Sequence, residues 1–271
     1  MEAVTLGPPG TYSHRAARAV TDEVSFVESV TAIVEAVAEG GADRGVIPVE
    51  NSIEGSVTES MDALVEYEVA VVREIVTPIR HALLAQGEDF DVVASHPQAL
   101  AQCREYLEAN YPDARLEAVA STARGVEEAR EDPRVAGIGH PDNASGGDGA
   151  ALRVLAEDIQ DRPSNATRFF VIAPPEARSA AGGKSTVIVY PNADYAGLLL
   201  EVLSAFADRD INLTRIESRP SGNRLGDYLF HVDFAAGLYE DRTRAALDDL
   251  DGIAADGWVR RLGSYDTEHV V

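Results

Sequence analysis

The sequence predicts an α/β protein in two parts: a two-lobed N-terminal unit and a smaller βαββαβ unit. Three observations predict it. Short apolar runs alternate with helical spacing from the start of the chain. A Pro-, Ala- and Gly-rich stretch without apolar periodicity, between Pro174-Pro175 and Gly182-Gly183, interrupts that alternation. A strand–helix–strand–strand–helix–strand order follows it, the pattern of a split ferredoxin-like unit. At 271 residues and 45% hydrophobic composition, the chain is long enough to bury two ordinary cores.

Ser29 is placed to cap a helix that runs to Glu39 and stops at Gly40-Gly41, and Gly45-Val46-Ile47-Pro48-Val49 then reads as a buried strand. Ser56-Val57-Thr58-Glu59 has the spacing of a capping box. The helix it opens collects Val57, Met61, Leu64 and Val65 on one face and leaves Asp62 and Glu66 to water. Apolar runs at 69–75 and 79–85 read as strands. A second α/β unit begins near Pro78, with a strand at 91–94 and a helix that holds Pro97 in its first turn and buries Leu100, Cys103 and Leu107. Strands at 116–120 and 135–138 flank a helix that Ser121 can cap.

A strand at 169–173 returns to complete the first unit, so two lobes are joined by crossings near Thr77 and Thr167, with a cleft between them. The expected division is 1–175 (lobe one 1–77 plus 166–175, lobe two 78–165), a linker at 176–184, and a last domain at 185–271. In that domain the strands fall at 185–190, 213–218, 228–234 and 258–265, and the helices at 195–208 and 242–250.

With 46 acidic against 23 basic residues, the net charge of −23 repels nucleic acid and anionic membranes unless cations cluster. They do not cluster: Lys184 is the only lysine and the arginines are spread along the chain. Acid excess distributed in this way predicts a halophilic protein, whose self-repulsion concentrated salt screens. No apolar run reaches about 18 residues, and Met1-Glu2-Ala3-Val4-Thr5 lacks the basic-then-apolar order of a signal peptide. A cytoplasmic location without a membrane partner is expected. Cys103, the single cysteine, excludes an internal disulfide or thiolate cage and reads as a buried thiol. None of His14, His81, His140, His231 and His269 has an i, i+4 partner in metalloenzyme spacing, so no metal is expected.

Gly7-Pro8-Pro9-Gly10-Thr11-Tyr12-Ser13 lies between a strand and a helix, where amides and hydroxyls can face an anion. It has neither the lysine of a P-loop nor dinucleotide-fingerprint spacing, and a turn with Thr11 or Ser13 as cap explains it as well. Pro48-Val49-Glu50-Asn51-Ser52 follows the carboxyl end of a buried strand, the usual place for ligands in open α/β sheets; an Asx or Ser turn is the plainer reading. Ser95-His96-Pro97-Gln98 ends a strand in the opposite lobe, and Ser95 or His96 taken singly is a helix cap. Asn165-Ala166-Thr167-Arg168-Phe169-Phe170 brings a hydroxyl, a guanidinium and an aromatic ring to the crossing; a strand start with a surface arginine is its alternative.

Taken together and in this order, these segments resemble the prephenate dehydratase family over nearly the whole chain. The resemblance rests on Gly-Pro-x-Gly-Thr-Tyr-Ser at 7–13, Pro-x-Glu-Asn-Ser at 48–52, Ser-His-Pro-Gln-Ala-Leu at 95–100, Thr-Arg-Phe at 167–169 and Glu-Ser-Arg-Pro at 217–220. It implies a catalytic domain of two lobes like those of periplasmic binding proteins, a C-terminal ACT domain that binds phenylalanine as feedback inhibitor, and a homodimer or homotetramer. The implied reaction is cofactor-free: prephenate loses carbon dioxide and water to give phenylpyruvate. Arogenate dehydratases share the motifs, and a non-catalytic amino-acid sensor is the alternative of a different class.

By this resemblance Thr167 supplies the essential hydroxyl, acting with Arg168, Phe169, Asn51 and Glu50 as the catalytic set. Thr11, Ser13, Ser52, Ser95, His96 and Gln98 are the implied substrate-binding residues, with Arg168 and the loop amides near Thr11 and Ser13 holding carboxylates. Gly197, Leu198, Asn212, Glu217, Ser218, Arg219 and Pro220 are the implied effector-binding residues. Two departures stand out. Gly139-His140-Pro141-Asp142-Asn143 and Gly146-Gly147-Asp148-Gly149 replace family elements and suggest a reshaped mobile loop, and Leu198 stands where the family has alanine, which bears on effector affinity.

Overall fold

The computed structural model describes residues 1–145, 149–179 and 181–270 as α/β layers built on three sheets. In the first lobe the chain runs through β1 (Ala3–Leu6), α1 (Tyr12–Arg18), β2 (Val24–Val27), α2 (Val30–Ala38), β3 (Arg44–Asn51), the short β4 (Gly55–Ser56), α3 (Thr58–Glu66) and β5 (Ala70–Pro78). It then builds the second lobe from β6 (Ala82–Ala85), β7 (Val92–Ser95), α4 (Pro97–Gln102), α5 (Arg104–Asn110), β8 (Arg115–Ala118), α6 (Thr122–Glu131), β9 (Val135–Gly139) and β10 (Arg153–Ala156). Strand β11 (Ala166–Ala173) returns to the first sheet and lies antiparallel between β3 and β5. The two strands that carry the chain between lobes are therefore neighbours, with Thr167 opposite Thr77.

The third sheet comes from β12 (Lys184–Tyr190), α7 (Leu198–Ala207), β13 (Leu213–Pro220), β14 (Tyr228–Phe234), α8 (Asp241–Ile253) and β15 (Trp258–Tyr265), in the strand order β13-β14-β12-β15. This is the split βαββαβ order. A strand the sequence pattern does not announce, β16 (Thr267–His269), then leaves this sheet and pairs in parallel with β5 of the first lobe. The two units also share one hydrophobic core, because Ile188, Tyr190, Leu229, Leu262 and Tyr265 pack with Ile33, Ile47, Leu64 and Phe170. Burying those side chains at roughly 1.5–3 kcal/mol each makes the junction part of the fold rather than a loose tether.

Capping follows the sequence at Ser29, whose Oγ accepts from the Ala32 amide at 3.1 Å, and at Ser121, whose Oγ accepts from the Arg124 amide at 3.0 Å. The capping box expected at Ser56 does not form. Helix α3 starts one residue past Val57 with no side-chain cap, and Ser56 Oγ instead donates to Glu217 at 2.8 Å and accepts from Arg215 at 2.7 Å. Charged partners from the C-terminal unit outcompete a neutral cap. The helix expected after Pro97 is broken at Cys103 into α4 and α5, although Leu100, Cys103 and Leu107 are all buried. The loop expected at residues 146–149 lies outside the described residues except for Gly149. Among the described residues no helix is long and apolar enough to cross a membrane, and no group of His, Cys, Asp or Glu is placed to hold a metal.

Candidate active site

A cleft of about 330 Å³ opens between the two lobes, the size range of small-molecule sites. Thr11, Ser13, Asn51, Thr167 and Phe169 line it from the first lobe, and His81, His96, Gln98, Gln102, Ser121 and Thr122 from the second. Helices α1, α4 and α6 start at its rim, after the carboxyl ends of β1, β7 and β8 respectively. Their first-turn amides have no helical acceptors and carry the positive end of the helix dipole. The cleft is thus suited to an anion, yet among its described lining residues none is Asp, Glu, Lys or Arg.

A directional chain of hydrogen bonds crosses the floor. Asn51 Oδ1 accepts from the backbone amides of Ile53 and Glu54 at 2.9 and 3.3 Å. Its Nδ2 donates to Thr167 Oγ1 at 3.0 Å and to Asn165 Oδ1 at 3.1 Å. Asn165 Nδ2 donates to Gln102 Oε1 at 2.8 Å, and His81 Nε2 lies 3.0 Å from the same oxygen. Thr167 therefore accepts from Asn51 and keeps its own proton for a ligand. Gln102 Nε2 is buried and, among the described residues, has no partner. Burial holds the His81 pKa below its ordinary value, partly offset by the bond to Gln102, so the ring is neutral at pH 7.

The sequence-derived site set divides. Thr11, Ser13, Asn51, His96, Gln98, Thr167 and Phe169 are brought to the cleft. Thr11 caps α1 by accepting from the His14 amide at 3.3 Å, and His96 caps α4 through Nδ1 at 3.3 Å from the Gln98 amide. Ser95 is not in the lining: fully buried, it donates to the Ile138 carbonyl at 2.8 Å and ties β7 to β9. Ser52 clamps the crossing, donating to the Ser164 carbonyl at 3.2 Å and accepting from the Ala166 amide at 3.0 Å.

Arg168 and Glu50 are corrections. Alternation along a strand sends Thr167 and Phe169 to the cleft and Arg168 to the opposite face. There its guanidinium meets Glu74 at 2.8 Å and Asp233, from β14, at 2.7 Å. Glu50 lies 3.2 Å from Arg168 Nε without hydrogen-bond geometry, again on the face away from its neighbour Asn51. Burial works against the charge on Arg168, but Asp233 and Glu74 outweigh it and raise its pKa. No guanidinium from the Thr-Arg-Phe segment is available to clamp a carboxylate in the cleft.

Gln102, Asn165, His81, Ser121 and Thr122 are site residues that sequence reasoning missed. Two had a readable signal: Gln102 lies one helical turn beyond Gln98, and Asn165 lies two residues before Thr167 on the same face.

The candidate effector residues divide as well. Gly197, at φ +100, and Leu198 line a separate hollow of about 400 Å³ with Tyr195, Leu200 and Tyr228. On β13, Ser218 and Pro220 face outward. Glu217 and Arg219 turn toward the first lobe, where Glu217 accepts from Ser56 and Arg219 grips Asp62 at 2.9–3.1 Å. Asn212 is exposed, and its carbonyl accepts from the Ala235 amide at 2.9 Å. Asn212, Glu217, Ser218, Arg219 and Pro220 are not among the residues that line the hollow at Gly197 and Leu198.

A family model described as prephenate dehydratase matches residues 3–177, and one described as the ACT domain matches residues 192–251. The bifunctional chorismate mutase/prephenate dehydratase of Aquifex aeolicus is 38% identical over 269 residues, covering 96% of this chain and 72% of that protein. The prephenate dehydratase of Lactococcus lactis subsp. lactis is 34% identical over 275 residues, covering 98% and 97%. The crystal structure of prephenate dehydratase from Arthrobacter aurescens in complex with L-Phe superposes with a TM-score of 0.88 at 36% identity, covering 98% of this chain and 90% of that one.

Proposed function

The chain belongs to the prephenate dehydratase family, and from that premise we propose how its cleft carries out the reaction. The protein is a decarboxylating lyase that converts prephenate to phenylpyruvate. As the ring carboxylate leaves as carbon dioxide, its carbon–carbon bonding pair enters the ring. The carbon–oxygen bond across the ring then breaks, hydroxide departs and the ring becomes aromatic. Charge develops on the departing oxygen, so a fixed hydrogen-bond donor aimed at it accelerates the step.

Thr167 is that donor. The observation that carries this assignment is the 3.0 Å bond from Asn51 Nδ2 to Thr167 Oγ1, which occupies a lone pair and leaves the hydroxyl proton for the leaving group. The substrate carboxylates are held by the first-turn amides of α1 and α6, by Ser13, Ser121 and Thr122, and by the free Nε2 of Gln102. The neutral wall around Phe169 keeps water out. Residues 1–175 form the catalytic part and 185–271 the regulatory part, with 176–184 as linker.

Phenylalanine inhibits by binding between the regulatory domains of two copies. Support comes from β13, an edge strand with Ile216 exposed, and from Leu199, Leu200 and Tyr228, exposed beside the hollow that Gly197 and Leu198 line.

The test is to mix purified protein with prephenate at neutral pH and follow phenylpyruvate, with arogenate as the parallel substrate and with phenylalanine present or absent. Wild type is expected to turn over prephenate, while Thr167→Ala loses turnover by orders of magnitude and stays folded. Near-normal turnover by Thr167→Ala would refute the hydroxyl's role, and turnover of arogenate alone would reassign the substrate. Identical rates with and without saturating phenylalanine would remove the regulatory reading.

A further inference from the structure

We propose that His81 is a positioning residue for the dehydration, fixed as the Nε2–H tautomer, whose single donated bond orients the Gln102 carboxamide toward the substrate. This rests on the reading of the cleft as the prephenate site. The orientation of every group follows from the backbone outward. Backbone amides can only donate, so the Asn51 atom facing the Ile53 and Glu54 amides is Oδ1. Asn51 Nδ2 then faces Asn165 at 3.1 Å, and the Asn165 atom there must be its acceptor oxygen. Asn165 Nδ2 in turn faces Gln102 at 2.8 Å, which fixes that atom as Oε1. His81 Nε2, 3.0 Å from this oxygen, is left only the donor role. The opposite tautomer would set a ring lone pair against the carboxamide oxygen.

Two consequences follow. With Oε1 gripped by both Asn165 and His81, the only group Gln102 has left to offer is Nε2, which is buried and, among the described residues, unpartnered in a residue of the cleft lining. His81 is itself held rigidly: 2% exposed, it donates its backbone amide to Gln160 at 2.8 Å and accepts from the Ile159 amide at 3.0 Å. The Tyr12 ring stands edge-on to the imidazole at 6.1 Å, closing its other flank. The same chain ends at Thr167, so loosening Gln102 also loosens Asn165 and Asn51, and misplacement of a catalytic group by about 1 Å costs up to about a hundredfold in rate.

The experiment uses the full chain. His81→Phe, which cannot donate, is expected to lower kcat/KM about 10–100-fold, with KM raised because the Gln102 donor is no longer held. His81→Gln, which places an amide N–H near the lost Nε2–H, is expected to recover most of that loss. Imidazole 15N spectra of wild-type protein, with the His81 ring assigned through its correlations to the His81 backbone, are expected to show protonated Nε2 and bare Nδ1. The proposal is overturned by wild-type kinetics in folded His81→Phe, by a folded His81→Gln as impaired as His81→Phe, or by the Nδ1–H tautomer. The spectrum decides even where neither variant folds. Wild type without activity on prephenate would instead sink the reading of the site, and a wild-type rate in His81→Phe would sink only the role of His81.

Discussion

Arg168 and Asp233 stand 2.7 Å apart although 65 residues separate them and they belong to different units. Around them Glu74 accepts from Arg168, from Lys184 through both carboxylate oxygens, and from Thr267. Arg215 completes the cluster at 3.9 Å from Asp233 and 4.0 Å from Glu50. Glu50 and Arg168 are the chain neighbours of Asn51 and Thr167, so the strands that carry the proposed catalytic pair on one face present their charges to the regulatory sheet on the other. The only lysine of the sequence is explained by this place.

Asp233→Asn preserves shape but leaves Arg168 with an uncompensated share of buried charge. Breaking one partner of a buried pair costs roughly 3–5 kcal/mol, which urea unfolding measures as a lower midpoint. The variant is also expected to blunt phenylalanine inhibition, read as the ratio of turnover with and without saturating phenylalanine. An unchanged ratio would detach this cluster from regulation.

Much of this architecture was legible in the sequence. Strand and helix order through β12 to β15, the caps at Ser29 and Ser121, and the cleft positions of Asn51 and Thr167 follow from local periodicity and turn chemistry, which a sequence carries residue by residue. Ser56 and Arg168 depart from the local expectation for one shared reason. Their partners lie about 65 to 161 residues away in the other unit, and no local pattern encodes a domain junction. Strand β16 escaped notice because only three residues form it.

Gly125→Ala tests how α6 is brought to the cleft. A Cβ there would lie 2.3 Å from the Ala94 carbonyl oxygen and 3.0 Å from Ser95 Cα, so the helix can approach β7 this closely only without a side chain. Alanine in a helix normally gains up to about 1 kcal/mol over glycine; here overpacking reverses the sign and costs roughly 1–3 kcal/mol. Because Ser121 and Thr122 ride on the same helix, KM for prephenate is expected to rise more than kcat falls. A variant as stable as wild type would show that the approach is not tight.

Buried imidazoles make the fold acid-sensitive. Burial, with Arg215 and Arg219 assisting and Asp233 opposing, holds His231 down to about 3. Burial and Arg15, against Asp142, hold His140 at about 4. Both folded pKa values lie below the unfolded reference of about 6.5, so the unfolded chain binds more protons. Stability is therefore fully present above about pH 6.5 and is lost as pH falls, by up to about 1.4 kcal/mol per pH unit for each group. Urea unfolding between pH 5 and 6.5 is expected to show this slope, shallower by about that amount in His231→Leu. An equal slope in the variant would exonerate His231.

Salt separates the two kinds of charge in the molecule. The net charge of −23 includes carboxylates as open as Glu23 and Asp22, with side chains 73% and 87% exposed, and their mutual repulsion extends over about 10 Å at 0.1 M salt but about 3 Å at 1 M. The Arg168 cluster is out of reach of that screening, since the side chains of Glu74 and Asp233 are 2% and 0% exposed. Raising potassium chloride from about 0.1 to about 2 M should therefore raise the thermal midpoint of wild type while leaving the decrement caused by Asp233→Asn nearly constant. Chloride is the right anion, because sulfate strengthens apolar burial in any protein and would mimic the effect. The same midpoint at both concentrations would remove the halophilic reading. A decrement that shrinks with salt would place Arg168 and Asp233 in contact with water.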